Sequence, residues 1–217
     1  MGTLLASSLI ADVRRILLDP SPGVQWDDAA LLKMLNKGER AICEVKKEAY
    51  PVRATLTLAA GAQQALPAGG LVLMDLFENV ASGRRARGPV DRQLQDSASL
   101  FYPNATQEAD VQEWTKDDRD PRRFAVLPPN DGTGQIRALY GALPTAIASV
   151  GTAINLEDSY EGALIAFVLA TAYAENTERQ DLAKSGAYTA EWKALIGLGS
   201  QSTVANTAKV AAAGGTR

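Results

Sequence analysis

The stretch "GVQWDDAALLKMLNKGERAI", Gly23 to Ile42, holds the clearest helix of the chain and a puzzle with it. Asp27 is placed to cap the free backbone N–H groups, and Asp28 puts negative charge at the positive end of the helix dipole. Trp26 precedes the cap, where it can fold back on Ala30 or Leu31 as a hydrophobic staple. Leu31, Leu35, Ile42 and Val45 make one apolar stripe, and Gly38 lies on it. A glycine there costs about 1 kcal/mol against alanine, which points to the close approach of another backbone. The polar face of this helix carries no catalytic group, so its purpose has to come from elsewhere in the chain.

Upstream, Ala6, Ile10, Val13 and Leu17 recur at helical spacing and predict a helix over about Thr3 to Leu18, stopped by "DPSPG". Downstream the period changes. "PVRATLTLAAGAQQALP" (Pro51 to Pro67) alternates polar and apolar residues and predicts a strand, a turn at Ala60–Gly61 and a returning strand. "LVLMDLFENVASGRRARGPVDR" reads as a strand or short helix, a Ser82–Gly83 turn and a second strand. "PRRFAVLPPNDGTGQIRALYGALP" is the clearest hairpin, with Phe124 and Val126 alternating against Ile136, Ala138 and Tyr140 around "NDGTG". A third helix follows Asn155 or Glu157 and runs to about Asn176 with a ridge of small residues, and a fourth from about Asp181 to Ile196 carries Leu182, Tyr188, Trp192 and Leu195. Their short link implies antiparallel neighbours.

These elements predict an α+β, mainly helical chain. Residues 1–50 and 155–198 supply two helices each to one four-helix bundle. Residues 51–154 form an inserted β-hairpin or small β-sheet region, and 199–217 a flexible C-terminal arm. The arm has no aromatic residue and too few large apolar ones to fold alone. It is either a disordered terminus or a segment that orders against a partner subunit.

Composition narrows the chemistry. The 217 residues contain no histidine, which removes the commonest general base and zinc ligand together. The single cysteine, Cys43, rules out an intramolecular disulfide and reads as a buried thiol. With 22 basic and 25 acidic residues the net charge is -3, which does not call for bulk nucleic-acid binding. "GTGQIRALYG" and "PAGG" lack the context of a nucleotide loop. Asp117, Asp118 and Asp120 are interleaved with Lys116, Arg119, Arg122 and Arg123, which favours a self-neutralising loop over a metal site. Arg84, Arg85 and Arg87 in "GRRARG" suit a solvated turn, an interface with acidic groups of a neighbour, or nucleic-acid contact. No catalytic, cofactor or metal site is expected. The short N-terminal apolar run lacks a basic stretch ahead of it, and no run is long enough to span a bilayer. Together these predict a soluble product of a reducing cytoplasm.

The order of segments resembles the tailed-bacteriophage adaptor proteins, also called head-to-tail connector or neck proteins. Trp26, Asp28, Leu31, Leu32, Leu35, Asn36, Gly38 and Ile42 occupy the places of that family's opening motif. Pro121, Phe124, Val126, Pro128, Pro129, Ile136, Tyr140 and Pro144 match its middle hairpin. "INLEDSYEGALIAFVLATAYAENTERQDLAKSGAYTAEWKALIGLG" looks like its closing helical pair, so the similarity runs from roughly Leu4 to Gly199. Glu175 and Asn176 depart from the aspartate and histidine or arginine often found in the helix link.

The resemblance implies a structural virion protein, not an enzyme, assembled in the host bacterial cytoplasm. It implies a homo-oligomeric ring, usually of twelve copies, beneath the portal protein. The ring extends the DNA channel, lets DNA pass without specific binding, touches no membrane, and docks tail, nozzle or tail-tube proteins. Portal contact is expected from the C-terminal arm through Leu198, Gln201, Val204, Lys209, Val210 and Arg217. Subunit or tail contact is expected from Arg84, Arg85, Arg87, Lys116, Asp118, Arg119 and Arg122. The alternatives are another phage neck or tail-completion protein, or a small enzyme or nucleic-acid-binding module.

Overall fold

Two groups of elements come from two kinds of sequence period. The computed structural model describes residues 2–21, 23, 25–91, 106–117, 119–175 and 178–197. One compact unit draws on Met1–Ile42 and Pro144–Arg217, the other on Cys43–Leu143.

The first unit starts with Thr3 and Leu4, whose backbone N–H groups donate to the Asp158 carboxylate, so the first helix begins later than its periodicity suggests. That helix, α1 (Ala6–Leu17), buries Ala6, Leu9, Ile10, Val13 and Leu17. It ends at Leu18 in the left-handed conformation, φ 54°. The turn beyond is tied by charge. The buried Arg14 guanidinium donates to the Asp19 carbonyl at 3.1 Å and to Asp28 at 2.6 Å. The Asp19 carboxylate accepts from the N–H groups of Gln25 and Trp26.

Asp27 caps α2 (Asp28–Val45), accepting from Ala30 N–H at 2.6 Å. Trp26 is buried, and its indole N–H donates to Glu175 at 2.9 Å. Gly38 marks a close approach, but of side chains and not of backbone. A Cβ there would stand 3.0 Å from the Phe167 ring and 3.4 Å from Leu164. Both neighbours belong to α3 (Glu161–Ala174), which is apolar on nearly every side and buries eight residues, as a central helix must. Leu9, Val13, Leu31, Leu35, Leu164 and Val168 meet where α1, α2 and α3 come together.

The expected four-helix bundle does not form. The last helix, α4 (Leu182–Leu195), lies against α3 with none of its residues buried; Leu182 is 67% and Leu195 52% exposed. Its apolar residues follow a helical period, yet that period never reaches the core. Nor is the chain mainly helical: among the described residues 34% are helical and 27% lie in strands, in two three-stranded antiparallel sheets. The α+β class stands.

The second unit corrects two expected hairpins. β1 (Pro51–Thr57) pairs with β6 (Gln135–Ala142), while β2 (Gly61–Ala65) pairs with β5 (Arg123–Asn130). Neither β1 with β2 nor β5 with β6 makes a pair. Residues 51–65 and 142–123 instead form one long antiparallel ribbon that bends between the sheets. The bend is held by polar side chains. Gln64 bonds the backbone of Ala59 and Gly61, and Asn130 accepts from Gly132 and Gly134 while donating to Glu108 and Ala109. The "NDGTG" residues therefore make a corner, not a hairpin turn. β3 (Gly70–Asn79) completes the order β1–β6–β3 and β4 (Glu113–Lys116) the order β2–β5–β4. The sheets share a core that includes Leu56, Leu73, Trp114, Phe124, Val126 and Ile136.

The polar residues of α2 grip backbone. Asn36 both donates to and accepts from Ile147, at 3.0 and 2.7 Å. Glu39, 1% exposed, accepts from the backbone and side-chain N–H groups of Asn155, each at 2.7 Å. Replacing Glu39→Ala leaves the Asn155 backbone N–H without an acceptor and its side-chain amide with only the Thr145 carbonyl, and the expected loss is about 2 kcal/mol of unfolding free energy in a denaturant titration. Gly38→Val overfills the contact with Phe167 and is expected to cost about 2 kcal/mol in the same measurement.

Candidate assembly surfaces

The arginine turn follows β3 and is held from below. Asn79 donates through its backbone and side chain to the Arg84 carbonyl and exchanges hydrogen bonds of 2.8 Å with Val111. This places Arg85 across from Glu78 and Arg87 beside Glu113, the first residue of β4. Arg84, Arg85 and Arg87 are all exposed. Arg87 makes a long ion pair with Glu113, 3.8 Å, with its own side chain 83% exposed, and such pairs contribute little to stability.

The second charged loop starts at Lys116, the last residue of β4, so the strand separates it from Arg87 by about 10 Å. Asp117 and Asp120 are used locally. Asp117 accepts from Arg119 N–H and Asp120 from Arg122 N–H, and Asp120 also pairs with Arg122 at 3.9 Å and Arg123 at 3.4 Å. Arg119 and Arg122 are exposed and Lys116 is half-buried. Asp118 lies outside the described residues, as do Leu198, Gln201, Val204, Lys209, Val210 and Arg217.

Two further surfaces were not singled out by sequence reasoning. One is a groove of about 280 Å3 along α3 and α4, lined by Ala170, Thr171, Ala174, Ser185, Thr189 and Trp192 among others. Its signal was present in the ridge of small residues, a pattern that suits close packing by a helix of the same chain or of a neighbour. The helix pair beneath it is pinned by Phe167 edge-on to Trp192 and by Tyr173 stacked on Tyr188. The other is a groove of about 530 Å3 on the β1–β6–β3 sheet, lined by Arg53, Phe77, Glu78, Arg85 and Arg137. Arg53 and Arg137 each stand alone in the sequence, and only strand register brings them together.

Among the described residues no group of three or more His, Cys, Asp or Glu is arranged to hold a metal ion. No described helix is long and apolar enough to cross a membrane. The buried Glu39, Gln64, Asn79 and Asn130 and the half-buried Asn36 grip the chain's own backbone. What faces outward is a helix with uncovered leucines and a face of arginines.

Such a chain belongs with proteins that work through surfaces presented to neighbours. The family model described as SU10 adaptor protein matches residues 5–213, and the chain belongs to that family. It is a phage adaptor protein, a structural component of the virion that works against other head–tail proteins. No curated protein matches the sequence.

Asp158 adds a pH dependence. The Thr3 hydroxyl, then the backbone N–H groups of Leu4 and Thr3, hold its carboxyl below the ordinary value of 3.8. A lowered carboxylate stabilises the fold at higher pH, and that contribution is lost as pH falls through the folded value. The unfolding midpoint of Asp158→Ala is expected below that of the parent at neutral pH, with the gap narrowing in acid below the ordinary carboxylate value. A gap that stays constant with pH rules out the carboxylate as its source.

Proposed function

We propose that copies of this chain form a ring below the portal, of twelve subunits as the family resemblance suggests. The ring extends the DNA channel without binding DNA specifically and offers tail, nozzle or tail-tube proteins a docking surface. The observation that carries this reading is α4. A helix that leaves Leu182 and Leu195 exposed and buries none of its own residues is incomplete in one copy of the chain. Burying one leucine fully is worth about 1.5–3 kcal/mol, and α4 keeps that gain for an intermolecular contact. In a ring each interface is heterologous, so α4 of one subunit meets a different face of the next. The arginine turn and the Lys116–Arg122 loop serve subunit or tail contact, and the arm beyond Gly197 serves portal contact. Assembly takes place in the host bacterial cytoplasm.

The Leu182→Asp/Leu195→Asp variant tests the ring. Both side chains are exposed, so the unfolding midpoint should stay near that of the parent. Rings on portal in negative-stain images should disappear. Rings that persist in this variant sink the α4 reading. A chain ending at Gly197 should still fold and self-associate but no longer bind portal; retained portal binding moves that contact off the arm.

A further inference from the structure

The outer face of the β1–β6–β3 sheet combines an open edge with a surplus of positive charge. At the two ends of β1, Ala142 N–H donates to Tyr50 and Leu58 N–H donates to Gly134. In an antiparallel ladder such pairs recur at every second residue. Even-numbered residues therefore bond β6, and the backbone groups of Arg53, Thr55 and Thr57 point to the free edge. β1 ends the strand order, and among the described residues nothing hydrogen-bonds those three outward groups.

The side chains of the same three residues are exposed on the outer face. Arg137 stands opposite Thr55 and pairs with Glu78 at 2.9 Å. The Arg53 guanidinium lies over the Phe77 ring, 5.2 Å from its centre. Arg85 comes in beside Glu78. Three guanidinium groups thus share one groove with a single carboxylate.

We propose that this edge and groove take an extended, carboxylate-bearing segment of another protein, added to the sheet as a strand beside β1. Adding a strand to an open edge satisfies the outward backbone groups, and side chains give the specificity. Residues paired with Arg53 and Thr55 would have their side chains on the arginine face, where directly opposed residues are about 5 Å apart. Acidic residues at alternate positions then meet Arg53 directly and Arg137, one strand further in, through their longer reach. The guanidinium fork matches a carboxylate with two parallel hydrogen bonds. Pro51 has no N–H and ends the receptive edge.

A nucleic-acid strand fits the groove less well. Glu78 stands in the path of a polyanion, and Phe77, whose ring face would stack a base, is covered by Arg53. The proposal depends on neither ring formation nor portal binding.

The test uses the full chain and a labelled synthetic peptide of alternating threonine and glutamate, followed by fluorescence anisotropy and hydrogen–deuterium exchange. Saturable binding is expected, with slowed exchange confined to the segment Arg53–Thr57. The Arg53→Gln/Arg137→Gln variant, changed at two exposed positions, should keep its unfolding midpoint and bind about tenfold more weakly or worse. A threonine–lysine peptide and a proline-interrupted glutamate peptide should not bind. The proposal is overturned if the glutamate peptide leaves β1 unprotected at millimolar concentration, or if the double variant binds it equally. It is also overturned if the proline-interrupted peptide binds as well, since charge alone then suffices, or if oligothymidylate displaces the glutamate peptide and binds more tightly.

Discussion

Backbone that runs outside helices and strands still has to satisfy every buried N–H and C=O, and this chain does so with buried and half-buried polar side chains. Between β6 and the short 3-10 turn at Asp158–Tyr160 the backbone crosses residues 143–157 with no helix and, apart from the bridge at Ala153, no strand pairing. Asn36 and Glu39, one turn apart on α2, reach out and hold Ile147 and Asn155. The same device recurs in the other unit, where Gln64 and Asn130 hold the bend of the ribbon and Asn79 holds the arginine turn. Each group left without a partner would cost about 1–3 kcal/mol, so these few side chains decide whether the irregular segments have one conformation or many. This answers what the polar face of α2 is for: its best-placed polar residues are structural, and a carboxylate buried as deeply as Glu39 serves as an anchor.

What could be read in the sequence follows the range of the interaction. Asp27 capping Ala30, the stripe of Leu31, Leu35 and Ile42, and the stop after Leu17 are all set within a few residues, and each was visible as spacing. Strand partners are not set locally. Alternation showed that Leu56 and Ile136 each face a core, but it carries no information about which strand lies alongside. The Asn-Asp-Gly residues of "NDGTG" turn the chain equally well at a corner, where Asn130 ties both sides, and at a hairpin. Periodicity misled in a similar way at α4. Leu182, Tyr188, Trp192 and Leu195 recur as they would in a bundle, but a period states that a face is apolar, not what covers it.

The charged surfaces divide along the same line. The loop from Lys116 to Arg123 was legible as self-neutralising because Asp120 and its partners Arg122 and Arg123 are neighbours in sequence. The arginine turn was legible as a cluster for the same reason. Arg53 and Arg137 lie 84 positions apart and meet only through the pairing of Thr55 with Arg137 across β1 and β6. Their groove could not be inferred until that register was known.

Both uncovered surfaces carry a risk that the residues on them limit. An open strand edge is a template for unwanted pairing, and an apolar helix face without a partner invites aggregation. β1 begins with a proline, which has no N–H to offer, and carries an exposed arginine two residues on, and proline and charge both discourage unwanted pairing at an edge. On α4 the apolar residues are separated by Lys184, Glu191 and Lys193, which keeps the exposed face in short patches that only a shaped partner can cover. An adaptor that works with other head–tail proteins needs both properties at once: surfaces unfinished enough to be completed by the right neighbour, and charged enough to refuse the wrong one.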